Sequence, residues 1–196
     1  MAELPKHAKV VVIGQGGIVG ASVVHHLIEE GWDNIVGLEK SAIPTDIGST
    51  SHASDFCYMT THDKLNVFTS TYSREFYKKR GNYIEIGGME VARKDDDERM
   101  LELIRKVGSG KAFGTNAHMI SAAEAKEKFP LLEESEIQGA LWDPDAGLVT
   151  PRSQKVAGDL VDEAVASGKL KAFAYTPATK ILVEDGVAVG VETPKG

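Results

Sequence analysis

Cysteine is almost missing: Cys57 is the single one in 196 residues. One thiol closes no internal disulfide and supplies no cysteine-based metal site. That usage fits a reducing compartment, and the expectation is a cytoplasmic protein. Long apolar runs are missing too. No stretch approaches the roughly 20 apolar residues that span a bilayer, and the opening MAELPKHAK has no secretory-leader core. No membrane partner is expected. Basic clusters are also scarce: 22 Lys and Arg stand against 29 Asp and Glu, a net charge of −7, and basic residues gather only in short runs such as Lys78-Lys79-Arg80. Nucleic acid is therefore not an expected partner. The chain has no internal repeat and no low-complexity segment. What remains is ordinary globular composition, 42% hydrophobic and 26% charged. It is enough for one sizeable core and short for two full domains.

The N-terminal third carries a clear pattern. AKVVVIG, residues 8–14, is a continuous β-branched run, as in a strand buried on both faces. IVGASVVHHLIEEGW follows with helical spacing, placing Val19, Val23, Leu27 and Ile28 on one stripe. NIVGLEK then reads as a second buried strand ending at Glu39. Strand, glycine turn, helix and strand make a βαβ unit, the start of a parallel sheet. A Ser/Thr/Gly-rich loop follows, SAIPTDIGSTSHASD.

Beyond it, residues 63 to about 80 are predicted helical, and 82–93 as two short strands around Gly87-Gly88. DDDERMLELIRKVG has an acidic start and later basic residues, matched to a helix dipole. SAAEAKEKF opens with a capping-box pattern, Ser121 and Glu124. Thr150-Pro151 predicts a helix start, with Thr as N-cap and Pro in the first position. Val156, Leu160, Val161, Ala164 and Val165 give that helix an apolar face. Two extended runs around Asp185-Gly186 close the chain as a hairpin. A doubly wound nucleotide domain normally has further strands, so a fragment of a longer protein is expected.

The chemistry centres on Gly14, Gln15, Gly16, Gly17, Ile18, Val19 and Gly20. Glycines between a strand and a helix allow a tight turn, close backbone approach to a pyrophosphate and close helix–strand packing. The helix start adds unpaired N–H groups and a positive dipole end. A G-x-G-x-x-G pattern fails in either register: from Gly14 the third place is Val19, and from Gln15 the first place is not glycine. Glu39 ends the second strand, 25 positions after Gly14, near the spacing of the acid that accepts from ribose hydroxyls. An acid there disfavours a 2′-phosphate, which leaves FAD or NAD. Gly48, Ser49 and Thr50 offer flexible backbone and two hydroxyls, suited to a diphosphate or a sugar.

These motifs resemble those of FAD-dependent amine oxidoreductases of the D-amino-acid oxidase superfamily, within it the dimethylglycine and sarcosine dehydrogenase or oxidase branch. The resemblance rests on VVVIGQGGIVGAS, IVGLEK, GSTSHA, KFPLL, GALWDPDAGLVTPRS and PATKILVEDGVAVGVETPKG, in that order, and covers nearly the whole chain. It implies an α/β fold: a Rossmann-like FAD-binding domain with a parallel sheet (1–80 and 148–196, incomplete) and part of an α+β substrate domain (81–147). It implies FAD as cofactor, held by Glu39 at the adenosine ribose and Lys40 near the adenine. Ser49, Thr50 and Ser51 would line the pyrophosphate or ribityl chain, and the backbone of Ala178 would meet adenine. His52 occupies the place of a histidine that bonds the flavin covalently; either it does so here or it lies beside a noncovalent flavin. Relatives read Ile-Gly-x-Gly-Ile-Val-Gly, so one residue, Gln15 or Gly16, is extra. Gly17 and Gly20 are then expected in the second and third glycine roles, with a turn widened over Gly14–Gly16.

The implied activity is oxidation of a small N-methylated amino acid by hydride transfer to flavin, in a protein that in its full length carries a C-terminal folate-binding domain. No catalytic residue is assigned. His62, Tyr58 and Arg93 have suitable chemistry but read as structural or solvated, and Asp143 and Asp145 in WDPDAG read as a turn. Two rivals stand: an NAD-dependent dehydrogenase, which leaves the Gly-Ser-Thr-x-His loop unexplained, and a noncatalytic nucleotide-binding fragment.

Overall fold

The computed structural model of the chain describes residues 3–196. In chain order its strands and α-helices are β1 (Val10–Ile13), α1 (Ile18–Glu29), β2 (Ile35–Leu38), α2 (Ser49–His52), β3 (Phe56–Cys57), α3 (Lys64–Lys79), β4 (Tyr83–Glu85), β5 (Gly88–Arg93), α4 (Asp97–Ala112), β6 (His118–Ile120), α5 (Ala122–Lys128), β7 (Ile137–Asp143), β8 (Gly147–Val149), α6 (Ser153–Ala166), β9 (Leu170–Phe173), β10 (Lys180–Glu184) and β11 (Val187–Glu192). The chain forms two compact units, one of residues 1–54 with 151–196 and one of residues 55–150.

The first unit is an α/β layer. β1, β2 and β9 form a parallel sheet in the order β1-β2-β9, in the register Val10 to Ile35 and Ile35 to Leu170. Parallel strands need crossovers, and α1 and α6 provide them, packed against each other. The buried face of α1 is Gly20, Ala21 and Val24. This corrects the predicted stripe: Val19 is 76% exposed and Val23 is exposed. Small residues face inward because α1 lies too close to the turn for a larger one, as Gly20 shows below. On α6, Val156, Ala157, Leu160, Val161 and Ala164 are buried, whereas Val165 is exposed. Beyond β9 the antiparallel hairpin β10–β11 follows.

α6 also starts later than predicted. Arg152 holds the N-cap position and makes no side-chain cap bond. The backbone of Thr150 is held outside the helix: its N–H donates to Asn82 O (2.9 Å) and its carbonyl accepts from Asn82 Nδ2 (2.9 Å). Both bonds hold it at the end of β8.

The second unit has two antiparallel sheets, β3-β8-β4 and β5-β7-β6. Side chains alternate across a strand, so neighbouring Ala140 and Leu141 of β7 serve opposite faces. Leu141 packs with Leu103 and Val107 of α4, and Ala140 with Ala125 of α5. The capping box of Ser121 and Glu124 starts α5 as read from the sequence. The unit boundaries differ from that reading, which carried the first region to residue 80 and resumed it at 148. Phe56 and Cys57 pair with Leu148 and Gly147, and Val149 N donates to Asp55 O (2.8 Å). These bonds tie 55–57 and 147–149 to the second unit.

Asp143 is a structural node here. Fully buried, it accepts from Met59 N (3.2 Å), Thr60 N (2.9 Å) and Asp145 N (3.2 Å). Asp145 in turn accepts from Arg74 Nη2 (3.0 Å) and Asn116 Nδ2 (2.7 Å). Both carboxylates are engaged in holding the turn. Asp143→Ala strands buried N–H groups and is expected to cost about 1–3 kcal/mol, roughly 3–9 °C in thermal midpoint, measurable by calorimetry. An unchanged midpoint would remove Asp143 from this role.

Candidate functional site

The site grows from the turn between β1 and α1. Gly14 has φ +89°, a left-handed conformation that favours glycine. Its N–H and that of Gln15 both donate to Leu38 O (2.9 and 3.2 Å), fastening the turn to the end of β2. Gly17 is the N-cap of α1 and reaches back to Gly14 O (3.4 Å). Gly20 lies against the turn itself: a Cβ there would fall 2.3 Å from Gly14 O. Gly20, not Val19, thus takes the close contact of the helix with the turn that ends β1. Gln15 is wholly buried and Gly16 backs onto Glu39.

Glu39 is 5% exposed, a charged group held by donors. Oε2 accepts from Gly16 N (3.0 Å), and Oε1 from Ser41 N (3.0 Å) and Ser41 Oγ (3.2 Å). Each carboxylate oxygen has about two acceptor sites, so Oε2 keeps one for a further donor. The segment before β10 closes in alongside: Thr176 N donates to Glu39 O (2.7 Å) and Tyr175 N to Ser41 O (2.9 Å).

The Gly-Ser-Thr loop is joined to the same turn. The first three N–H groups of an α-helix lack a helical carbonyl; in α1 that of Ile18 goes to Thr50 Oγ1 (3.0 Å). Thr45 N donates to Gly16 O (2.9 Å), and Gln154 Nε2 to Thr45 O (2.8 Å). Ser51 Oγ donates to Gly48 O (2.8 Å). His52 Nδ1 lies 3.0 Å from both Gly48 O and Ser51 Oγ. A carbonyl only accepts, so Nδ1 is the donor in the contact with Gly48 O.

Together these elements bound a cleft of about 420 Å³ at the carboxyl ends of β1 and β2. It is the position where open α/β sheets bind ligands. Of the residues singled out in the sequence, Gly14, Gly17, Glu39, Lys40, Gly48, Ser49, Thr50 and Ala178 line it. Gly16, Ile18 and Gly20 act behind the wall through the contacts above. Gln15 is sealed beneath it, and Val19, Ser51 and His52 lie outside the lining. The sequence reading missed the apolar walls, Ile13, Leu38, Ile47 and Pro177, and the polar additions Thr45 and Thr176. Ile13 and Ile47 are exposed aliphatics beside motifs already noted. Thr176 and Pro177 directly precede Ala178, so adjacency was the available signal. In the second unit, burial pushes the Tyr58 phenol above its ordinary range, and His62 Nε2 stands 4.0 Å from Glu102.

The family model for FAD-dependent oxidoreductases, DAO, matches residues 9–196. The chain belongs to that family. The family's members depend on FAD, and the cleft fits such a group: a glycine-lined turn at a helix start, one open carboxylate acceptor and apolar walls. Within the curated DAO relatives, the mouse mitochondrial pyruvate dehydrogenase phosphatase regulatory subunit is 30% identical, covering 98% of this chain and 22% of that protein. Human mitochondrial sarcosine dehydrogenase is 31% identical over 76% of the chain and 16% of its own length. Human mitochondrial dimethylglycine dehydrogenase is 30% identical over 96% and 22%. Of solved DAO structures, L-proline dehydrogenase from P. horikoshii superposes with a TM-score of 0.87 at 30% identity, over 98% of this chain and 50% of that one. The chain thus spans about a fifth of those curated relatives and half of that structure.

Proposed function

We propose that the chain is the FAD-holding portion of an oxidoreductase that takes hydride from the carbon beside the nitrogen of a small N-methylated amino acid, of the sarcosine or dimethylglycine type. The observation that carries this reading is the joined cleft: the glycine turn, Glu39 and the Gly-Ser-Thr loop share one wall system through Gly16–Glu39 and Ile18–Thr50. Similarity to sarcosine and dimethylglycine dehydrogenases supports the substrate class.

In this reading Glu39 accepts from the adenosine ribose and Lys40 and the Ala178 backbone flank the adenine. The backbone of Gly14 and Gly17, together with Ser49, faces the diphosphate. Thr50 holds the loop to the helix start, and Ser51 orients His52. Bound flavin supplies the hydride acceptor; the chain's own residues bind it, orient it and keep water from it. Nε2 of His52 would be the atom that carries a covalent tether to the flavin, Nδ1 being engaged with Gly48 O. Substrate-facing groups and a folate-binding domain belong, in this proposal, to chain outside these 196 residues.

A second reading, nucleotide binding without turnover, is favoured by similarity to a protein named as a regulatory subunit. One experiment separates the two. Sarcosine or dimethylglycine added anaerobically to the flavin-loaded longer protein is expected to bleach the flavin absorbance; loaded protein that neither amine bleaches overturns the substrate assignment. After denaturation, flavin fluorescence is expected to stay with the chain and to be lost in His52→Ala. Release of free FAD from the unmutated protein would refute the tether while leaving the cleft intact.

A further inference from the structure

Gln15, in the middle of the glycine turn, has a job of its own. Gln15 is fully buried and among the largest side chains to be so. Neither Oε1 nor Nε2 has a hydrogen-bond partner among the described residues. Packing, rather than polar contact, therefore fixes it. What it packs against is the missing side chain of Gly37 in β2: a Cβ there would lie 2.6 Å from Gln15 Cγ, 3.0 Å from Cδ and 3.1 Å from Cβ. Gln15 and Gly37 are a size-matched pair, one side chain filling the room the other leaves.

The next peptide shows the consequence. With the Gln15 side chain pinned inward and its N–H on Leu38 O, the following N–H, that of Gly16, points to Glu39 Oε2. Gly16 also crowds that carboxylate, since a Cβ would meet Glu39 Cγ at 2.9 Å. A glycine-rich turn has backbone freedom, and the Gln15–Gly37 key removes it. We infer that Gln15 is a positioning residue of the nucleotide cleft: through Gly37 it sets the Gly16 peptide, and through that peptide the Glu39 carboxylate. This rests on the reading of the cleft as a dinucleotide site. It assigns to Gln15 a role in affinity for the adenosine diphosphate half.

The test uses the full chain in flavin-free form with ADP as probe, titrated calorimetrically, beside thermal midpoints and hydrogen exchange of the Gly16 amide. Gln15→Met keeps length and removes the unpartnered amide; it is expected to bind ADP as the unmutated chain does, with an equal or higher midpoint. Gln15→Ala and Gly37→Ala are each expected to weaken ADP about tenfold and to speed Gly16 exchange beyond the change in global stability. The double variant Gln15→Ala/Gly37→Ala removes the 2.6 and 3.0 Å clashes and keeps only a 3.1 Å approach of the two Cβ atoms, so it is expected to bind ADP better than the two single losses combined. Should Gln15→Ala fail to fold, Gln15→Asn, one methylene shorter, is expected to show the same loss more weakly. If the Gln15 variants lower the midpoint but leave ADP binding and the Gly16 amide unchanged, the residue is only structural and the inference falls. The same holds if the double variant is no better than the singles combined. If the unmutated chain does not bind ADP at all, the reading of the cleft fails first and takes this inference with it.

Discussion

Gly20→Ala is expected to be the most damaging single-methyl change in the first unit. The added Cβ would stand 2.3 Å from Gly14 O, 2.9 Å from Gln15 Cα and 2.9 Å from Gly14 C. All three are backbone atoms, so no side chain can swing aside. α1 must lift from the turn, and the lift opens the contact that holds the turn on β2. Overpacking of this kind costs about 3 kcal/mol or more, against a total stability of about 5–15 kcal/mol for a domain. The thermal midpoint is expected to fall by roughly 6–12 °C, with nucleotide binding lost. Gly17→Ala is the control. Its Cβ would meet Thr50 Oγ1 at 3.5 Å, an ordinary contact, and its φ of −95° suits any residue. That variant is expected to melt within about 2 °C of the unmutated chain, the range of an ordinary surface change. Equal damage from the two substitutions would contradict the assignment of Gly20 to the contact with the turn.

The second large effect belongs to Glu39. Glu39→Ala strands the buried N–H groups of Gly16 and Ser41 and removes the open acceptor of the cleft wall. Each stranded donor costs about 1–3 kcal/mol, and affinity for ADP is expected to fall about 100-fold, the loss of a hydrogen bond to a charged group. Glu39→Gln retains one acceptor but sets an NH₂ group against a backbone N–H, so an intermediate loss is expected. The charge has a further effect: ADP carrying a 2′-phosphate should bind about tenfold more weakly than ADP, since two anions would meet in a half-enclosed cleft. Calorimetric titration of the three proteins with both nucleotides measures all of this. Unchanged affinity in Glu39→Ala would remove Glu39 from the ribose.

The βαβ start was legible because three local rules agree there: a β-branched run, glycines, and an acid at the second strand end. The matching of DAO to residues 9–196 agrees with the resemblance carried by those motifs. The close packing of Gly20 was expected from the glycine pattern, and a Cβ there would fall 2.3 Å from Gly14 O. The α1 stripe was not legible. Periodicity ranks residues by hydrophobicity, and it chose Val19 and Val23 over the small Gly20 and Ala21 that close approach demands. The start of α6 was misplaced because Thr150 is held by Asn82, a partner 68 positions away that no local pattern reveals. The same non-local pairing, Phe56 to Leu148, moved the unit boundary. The buried pairing of Gln15 with Gly37 lay beyond sequence reasoning too, as a polar residue in a glycine turn reads as solvated until its surroundings are known.

The central claim is that the cleft of the first unit holds FAD. Its most direct test is titration of the flavin-free chain with FAD, followed by flavin fluorescence and calorimetry, with NAD as competitor. The expected result is saturable binding of one FAD per chain, lost in Glu39→Ala and unaffected by NAD. An unmutated chain that binds NAD in preference to FAD, or folds and binds neither, would contradict the account.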